Sequence, residues 1–362
     1  MMRSIKDTGD SGVGIRMAAA VVTSVMLAAI AAVALSRQPL IALRAFFLVP
    51  FLSASSFLSM LELSGPLALC ALGVVVTFRA GHYSLGGEGQ AYAGALAAAM
   101  VGTSATSIAG PSAMLLSLGA GLVAGGLVAA LPAAGKRFAN ADVLLTSILV
   151  SQSVVFAVDW AIADPLRDPT GNLVAMRSIP AASLLHRLAP PSTLTIIPFA
   201  TVVLCLIAAF YFEHTRSGAA HDLYGRNHQF AGLQGFNTRR LSWLPIVVAG
   251  SLHGLAGAAM ALGARGTAIR GMSGGIGWSA IGAALVAGSR PSAVPLAALL
   301  FSWLDSGSRQ AVVLSDLPPD AGLAIKAIVI IVISARPTMA GVRSACARAM
   351  SRLRPGRRQA GQ

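Results

Sequence analysis

Long apolar stretches alternate with shorter polar intervals along most of the chain. A helix needs about 20 mainly apolar residues to cross the hydrocarbon layer of a membrane, where every backbone polar group must be satisfied within the segment. The apolar stretches cover residues 17–35, 46–63, 66–78, 91–101, 113–131, 143–162, 194–212, 243–262, 281–288, 295–304 and 322–334. Several are too short to cross fully, so the pattern predicts an all-α, polytopic transmembrane bundle of about eight to ten spans with broken or re-entrant helices.

The polar intervals differ in charge, and this difference predicts which side of the membrane they face. Residues 213–242 carry four arginines against Glu213 and Asp222, and residues 336–362 are rich in arginine. The positive-inside rule therefore places both segments in the cytoplasm. Residues 164–192 are rich in proline and nearly balanced in charge, as is typical of an external loop.

The first apolar stretch follows a short basic segment, residues 1–16, and predicts an uncleaved first helix. It is longer than the 7 to 15 residue apolar core of a signal peptide. The transmembrane domain is accordingly predicted at residues 17–335, with both termini in the cytoplasm.

Composition supports a membrane protein and argues against a nucleic-acid partner. Hydrophobic residues make up 55% of the chain and charged residues only 11%, whereas soluble domains carry about a quarter charged residues. The formal net charge is +14, but the arginines lie mainly between and beyond the apolar stretches. That distribution indicates topology in a lipid bilayer.

Two glycine-rich turns, each opening a helix of small residues, predict an internal repeat around a central pathway. One runs from Gly86 to Gln90 and the other from Gly274 to Trp278. Irregular backbone at membrane depth is stable only beside protein or water, so both turns are expected to line the route of a solute. The candidate pathway residues are Ser84, Gly86, Gly87, Glu88, Gln90, Gly275, Gly277 and Trp278.

Acidic residues near membrane depth are costly and usually face a cavity or a partner; here they are Glu62, Glu88, Asp159 and Asp305. Glu88 stands at the start of a small-residue helix, where free N–H groups and the helix dipole stabilise a carboxylate. It is interpreted either as a helix cap that fixes the broken turn, which is slightly favoured, or as a direct contact of the solute. Both interpretations place it beside the pathway.

No motif for catalysis or for a bound cofactor is present in the sequence. The closest approach to a phosphate-binding loop has Ala130 in place of its first glycine and Arg137 in place of the Ser or Thr that holds magnesium. The histidines and the three cysteines lack ligand spacing, so no metal site is predicted. This chain is therefore not expected to bind or hydrolyse ATP itself.

Four short motifs in order resemble those of a known family. Residues 78–90, FRAGHYSLGGEGQ, resemble the FRAG-x-x-NIG-x-EGQ signature of permeases from nucleoside and simple-sugar ABC importers, within the superfamily of branched-chain amino acid and monosaccharide permeases. Residues 141–149, 215–235 and 274–281 resemble three further motifs of these permeases. Ser84 replaces the usual asparagine, Asp142 a glutamate, and His228 a proline or an acid, which bears on the choice of solute.

The resemblance implies a subunit of a bacterial plasma (inner) membrane importer that translocates a nucleoside or simple sugar by alternating access. It implies as partners an ATP-binding subunit carrying ATP-Mg, a second permease subunit and an extracytoplasmic binding protein. A coupling segment, residues 218–235, would form a short helix in a groove of the ATPase. Its candidate residues are Gly218, Gly225, Arg226, Asn227, Ala231 and Gly235.

Two alternatives stay open on the sequence alone. A permease of the same architecture could carry branched-chain amino acids. An ion-coupled secondary transporter acting alone would instead need a relay of ionisable groups at membrane depth, for which Glu88, Asp159 and Asp305 are the candidates. An intramembrane enzyme lacks a recognisable nucleophile and base.

Overall fold

The computed structural model describes residues 36–104 and 110–315, together with isolated residues at 22, 26, 29, 30, 318 and 324. The predicted spans at 17–35 and 322–334 and both terminal tails fall outside the two continuous ranges. Within these ranges the chain is helical, and its only β-type pairings are isolated bridges. The prediction of an all-α polytopic bundle is confirmed.

The helices of the described residues, in chain order, are α1 (Pro39–Phe47), α2 (Val49–Leu52), α3 (Ala54–Arg79), α4 (Gly87–Ser104), α5 (Pro111–Ala139), α6 (Val143–Ala163), α7 (Ile197–His214), α8 (Arg216–Arg226), α9 (His228–Leu233), α10 (Thr238–Leu241), α11 (Leu244–Met260), α12 (Ile276–Val286) and α13 (Val294–Leu314). Short 3-10 turns lie at Ala181–Ser183 and Pro291–Ala293, and a π turn at Ala261–Arg265 extends α11. Five helices in this part of the chain are long and apolar enough to span a membrane, or six if the bent pair Ile276–Val286 and Pro291–Leu314 counts as one span.

Helix α3 corrects the expected division of residues 46–78 into two apolar segments. Ser53 begins the helix, because its hydroxyl accepts a hydrogen bond from the backbone N–H of Ser56 at 3.1 Å. The helix then runs unbroken through Pro66 to Arg79. Proline removes one backbone hydrogen bond, but a helix buried among its neighbours tolerates this loss, and most of α3 is buried.

The two predicted breaks are present, and each opens a helix. Residues 80–86 are irregular and lead into α4, while residues 266–275 lead into α12. Helix α12 then meets the following helix, Pro291–Leu314, at a bend of 115°. This geometry is that of a broken or re-entrant span, and its bend lies at residues 287–290, after α12, whereas the predicted glycine-rich turn lies before α12.

Glycine lets α4, α5 and α11 pack with their backbones in contact. A Cβ atom at Gly125 would lie 2.6 Å from the Cα of Gly254, and one at Gly121 would lie 2.5 Å from the Cβ of Ala258. A Cβ at Gly94 would overlap the carbonyl of Gly254. These contacts explain the small-residue spacing, which lets helices approach closely in a membrane.

Residues 164–192 and 213–242 lie near opposite ends of α3. Glu62, in the early part of α3, contacts Thr195 just after the first segment, whereas Arg79 at its end contacts Asp222 in the second. Seventeen residues of α-helix separate Glu62 from Arg79, a rise of about 25 Å. The two segments are therefore on opposite sides of the bundle, and which side is the cytoplasm stays a prediction.

Candidate translocation site

Glu88 joins the two broken helices. It is the second residue of α4, and its carboxylate accepts hydrogen bonds from the backbone N–H of Gly275 at 2.9 Å and of Gly277 at 2.7 Å. Gly275 is the N-cap of α12. Glu88 therefore caps α12, the helix in the other half of the chain, and the free N–H groups at that helix end stabilise its charge.

The crossing of α4 and α12 has no room for a side chain at Gly277. A Cβ at Gly277 would overlap the backbone N of Glu88, and one at Gly87 would lie 3.4 Å from the Cα of Gly277. Gly275 has a φ of +78°, which favours glycine. These glycines allow the carboxylate of Glu88 to reach two amides of α12 at once.

Gln90 and His253 form a buried polar link between three helices. Nδ1 of His253 lies 2.7 Å from Oε1 of Gln90, and Nε2 donates to the carbonyl of Cys70 at 2.9 Å. Both side chains are 2% exposed. With a neutral ring, the Gln90 amide must turn its nitrogen toward Nδ1, because an unprotonated ring nitrogen accepts a hydrogen bond. Sequence analysis missed His253, which lies inside an apolar segment and belongs to no motif.

Serines of α6 accept hydrogen bonds from backbone N–H groups in the first broken turn, residues 80–86, and at the start of α4. Ser147 accepts a hydrogen bond from the N–H of Leu85 at 2.9 Å, and Ser151 accepts one from Gly89 at 2.8 Å. Ser84 is buried on the same turn and accepts a hydrogen bond from Gly86 at 3.4 Å. Buried irregular backbone needs such partners. Isolated serines in an apolar helix gave no signal of this role.

Most of the predicted pathway residues lie at or next to this crossing. Gly87, Glu88, Gly275 and Gly277 meet there, and a Cβ at Gly86 would lie 2.6 Å from the Gln90 amide. Trp278 differs from the others, because its side chain is 43% exposed on the surface of the subunit.

The other acidic residues at membrane depth each have a local partner. Glu62 is 2% exposed and accepts hydrogen bonds from both the N–H and the hydroxyl of Thr195. Asp305 pairs with Arg309 at 2.9 Å, one turn along α13.

Asp159 belongs to a link that holds residues 266–275, the irregular segment that leads into α12. Its carboxylate accepts a hydrogen bond from the hydroxyl of Tyr92 at 2.6 Å. The Tyr92 hydroxyl in turn accepts the N–H of Gly271 at 2.8 Å. This link fixes residues 266–275 against α4 and α6.

The coupling segment forms two short helices instead of the single one expected, α8 and α9, which meet at Asn227. The Asn227 side chain accepts the N–H of Phe230 at 2.9 Å and so caps α9. Arg226 is exposed, Ala231 is fully buried and Gly235 ends α9 with a φ of +79°.

Helix α8 is fixed to the end of α3. The Arg79 guanidinium donates from Nε to Asp222 at 2.7 Å and also from Nη2, and it lies 4.2 Å above the ring of Phe212. Gly225 packs on the carbonyl of Arg79, and Gly218 lies against the backbone of Phe212. These contacts join the coupling segment to the residues that lead into the first broken turn.

His221 adds a further contact between α8 and α3. Its Nε2 donates to the carbonyl of Val76 at 2.9 Å. Burial lowers the pKa of His221, so the ring is neutral at pH 7.

Comparison with known proteins decides the family. The family described as "Branched-chain amino acid transport system / permease component" matches residues 56–334. The chain belongs to this permease family. This finding confirms the resemblance and identifies a membrane-embedded permease subunit of the ABC importer type, a transporter component rather than an enzyme.

Similar proteins are ABC permeases over most of their length. A probable riboflavin import permease, RfuC of Treponema pallidum, is 28% identical across 83% of this chain and 80% of its own. The nucleoside permease NupB of Lactococcus lactis is 26% identical, covering 88% and 89%. The glucose permease TsgB13 of Haloferax volcanii is 28% identical, covering 86% and 84%. No solved structure matches the chain significantly.

Proposed function

We propose that this permease moves a nucleoside or a simple sugar inward, by alternating access driven by ATP hydrolysis on a separate subunit. Relatives named for nucleoside, guanosine and glucose transport support this solute class. The structural observation that carries the proposal is the cap of α12 by Glu88, because it ties together two broken helices at the depth where a solute must pass.

The coupling segment would receive the work of the ATPase. Helix α8 is fixed to the end of α3 through Asp222 and Arg79, and α3 leads directly into the turn that carries Glu88. A displacement of α8 would therefore be passed on to α3 and the first broken turn. ATP-Mg stays on the partner chain.

The proposed assembly contains a second permease subunit, a pair of ATP-binding domains and an extracytoplasmic binding protein, in a bacterial plasma (inner) membrane. Residues 213–242 and both termini face the cytoplasm in this proposal, and residues 164–192 face the binding protein. The opposite positions of these two segments along α3 support such an arrangement.

The two rival functions are weaker. A branched-chain amino acid permease agrees with the family description, whereas the relatives above are named for other solutes. A secondary transporter needs a relay of acids that can exchange protons. In the part of the chain that the structure describes, Glu88, Asp159 and Asp305 each have a local partner.

The test is a substitution in the coupling segment that preserves its fold. We expect Arg226→Ala combined with Asn227→Ser to lower ATP-driven uptake about tenfold, as loss of an important interface contact does. Serine keeps the cap of α9 while removing the amide. Uptake is measured in proteoliposomes that contain the whole complex.

The matched control is Arg239→Ala, another exposed arginine of residues 213–242 that lies outside the candidate coupling residues. It should transport at the wild-type rate. Unchanged uptake by the double variant in an assembled complex would refute the coupling role.

A further inference from the structure

A narrow cavity lies between α3, the π turn, α12 and α13, toward the end of α3 that is remote from the coupling segment. Its volume is about 80 Å³, enough for a few water molecules. The polar side chains on its wall are Glu62, Arg265, Ser273, Ser279, Ser302, Asp305 and Arg309. None of these residues was in the predicted pathway set, but Glu62 and Asp305 were among the acids expected from the sequence to face a cavity or a partner.

Ser302 has an unsatisfied hydroxyl at this cavity. Its Oγ is buried and lacks a hydrogen-bond partner among the described residues, and the side chain is 1% exposed. Buried polar atoms are almost always hydrogen-bonded, so an exception needs an explanation. A hydroxyl both donates and accepts, and it is suited to bind another hydroxyl group.

The charges around the cavity balance, and three of the four are engaged by contacts within the protein. Two acids, Glu62 and Asp305, face two bases, Arg265 and Arg309. Thr195 binds the Glu62 carboxylate, and Asp305 pairs with Arg309. A zwitterionic amino acid would have to compete with these contacts, whereas a neutral polyhydroxylated solute would not.

The floor of the cavity is the beginning of α12, the helix that Glu88 caps. Ser273, Gly274, Ile276 and Ser279 line this floor. A sugar ring is larger than the present space, so α12 must move to admit it. The cavity and the cap therefore belong to one movable element.

The geometry points to a solute chamber in its narrow state, which takes a neutral polyhydroxylated ring, either a free sugar or the ribose of a nucleoside. This inference rests on the proposed function and adds the position and chemistry of the contact. Ser302 on α13 and Ser279 on α12 supply hydroxyls from two different helices, and displacement of α12 widens the space between them.

The test uses thiol labelling of Ser302→Cys and Ser279→Cys in the whole complex, in the nucleotide-free and vanadate-trapped states. D-ribose, guanosine and leucine are added in turn at millimolar concentration. We expect D-ribose or guanosine to slow labelling of both cysteines about tenfold in at least one state, because at millimolar concentration the solute occupies its site for most of the time and shields both thiols. Protection by D-ribose alone identifies a free sugar, and protection by guanosine alone identifies a nucleoside.

Two controls set the baseline. Ser308 lies on α13 like Ser302 and is also buried, but it does not line the cavity. Labelling of Ser308→Cys should therefore not respond to solute. The wild type gives the background from its own three cysteines, Cys70, Cys205 and Cys346, of which Cys70 and Cys205 are buried.

The outcomes separate this inference from the proposed function. Absence of labelling at both positions, labelling that no solute slows, or protection by leucine alone overturns the chamber. ATP-driven uptake by the wild type is measured in parallel. ATP-driven uptake without protection of the cysteines refutes the chamber and leaves the proposed function intact. Protection of the cysteines without ATP-driven uptake refutes the proposed function and leaves the chamber as a binding site.

Discussion

At the scale of single residues, Glu88 is the most informative side chain, because its carboxylate accepts two backbone N–H groups of α12. Glutamine offers one acceptor oxygen and no charge, so Glu88→Gln loses one charge-assisted hydrogen bond worth about 1.5–3 kcal/mol. We expect a lower thermal unfolding temperature in the absence of solute and uptake reduced about tenfold or more. Both are measured on the assembled complex.

The thermal measurement distinguishes the two interpretations of Glu88. A cap stabilises the empty protein, whereas a residue that only contacts solute leaves the stability of the empty protein unchanged when it is replaced. Glu213→Gln, which changes an exposed acid in the last turn of α7, serves as the control and should match the wild type. Full uptake together with unchanged unfolding of Glu88→Gln would exclude both roles.

Tyr92 holds residues 266–275, the segment that leads into α12, through its hydroxyl, which bridges Asp159 and the N–H of Gly271. Tyr92→Phe removes that bridge from a site that is 1% exposed. We expect a loss of stability of about 1 kcal/mol, since the half-buried carboxylate of Asp159 loses the Tyr92 hydroxyl while the N–H of Gly271 keeps only its longer contact with Asp159 at 3.3 Å. Thermal unfolding in detergent measures it, with the exposed Tyr83→Phe as the control. Equal unfolding temperatures for the two variants would contradict the bridge.

At the scale of elements, the clamp between α8 and α3 makes a prediction about coupling. Arg79→Lys keeps the charge but loses the two-point contact with Asp222 and the stacking on Phe212. We expect ATP hydrolysis to continue while the amount of solute moved per ATP falls several-fold. Uptake and phosphate release are measured in the same proteoliposomes.

The charge-reversed pair, Arg79→Asp with Asp222→Arg, provides the control for this clamp. It should recover part of the coupling that either single reversal loses, because the ion pair is restored while the stacking on Phe212 is not. A double variant no better than the worse single variant would show that the ion pair does not transmit the movement.

The elements also show how far sequence reasoning reaches. Glycine-rich turns predicted both broken helices, because local backbone conformation depends on residues close in sequence. The unbroken passage of α3 through Pro66 could not be predicted, because it depends on burial by helices distant in the chain. The partner of Glu88 lies 187 residues away, and the link between Gln90 and His253 has the same long-range character.

At the scale of the whole molecule, the coupling segment and the proposed solute chamber lie toward opposite ends of α3. Arg79 anchors α8 at one end, and Glu62 lines the chamber toward the other. Helix α12 lies between them, with its beginning at the chamber floor and its cap on Glu88. A displacement of α8 by the ATPase can therefore reach the chamber. It would move α3 and the first broken turn, and α12 would move with that turn because Glu88 caps it.

Such a unit can transmit movement only if the helices around it stay closely packed, and this leads to a prediction for Gly254. A Cβ at Gly254 would overlap the carbonyl of Gly121 and lie 2.8 Å from the Cα of Gly125, so α11 and α5 must separate to admit it. Overpacking of this kind costs about 1–3 kcal/mol. We expect Gly254→Ala to lower the unfolding temperature and to reduce uptake, whereas Gly119→Ala on α5, where a Cβ meets nothing within 4 Å, should be neutral or slightly stabilising. Equal behaviour of the two variants would mean that the backbone contact between α5 and α11 is not needed for transport.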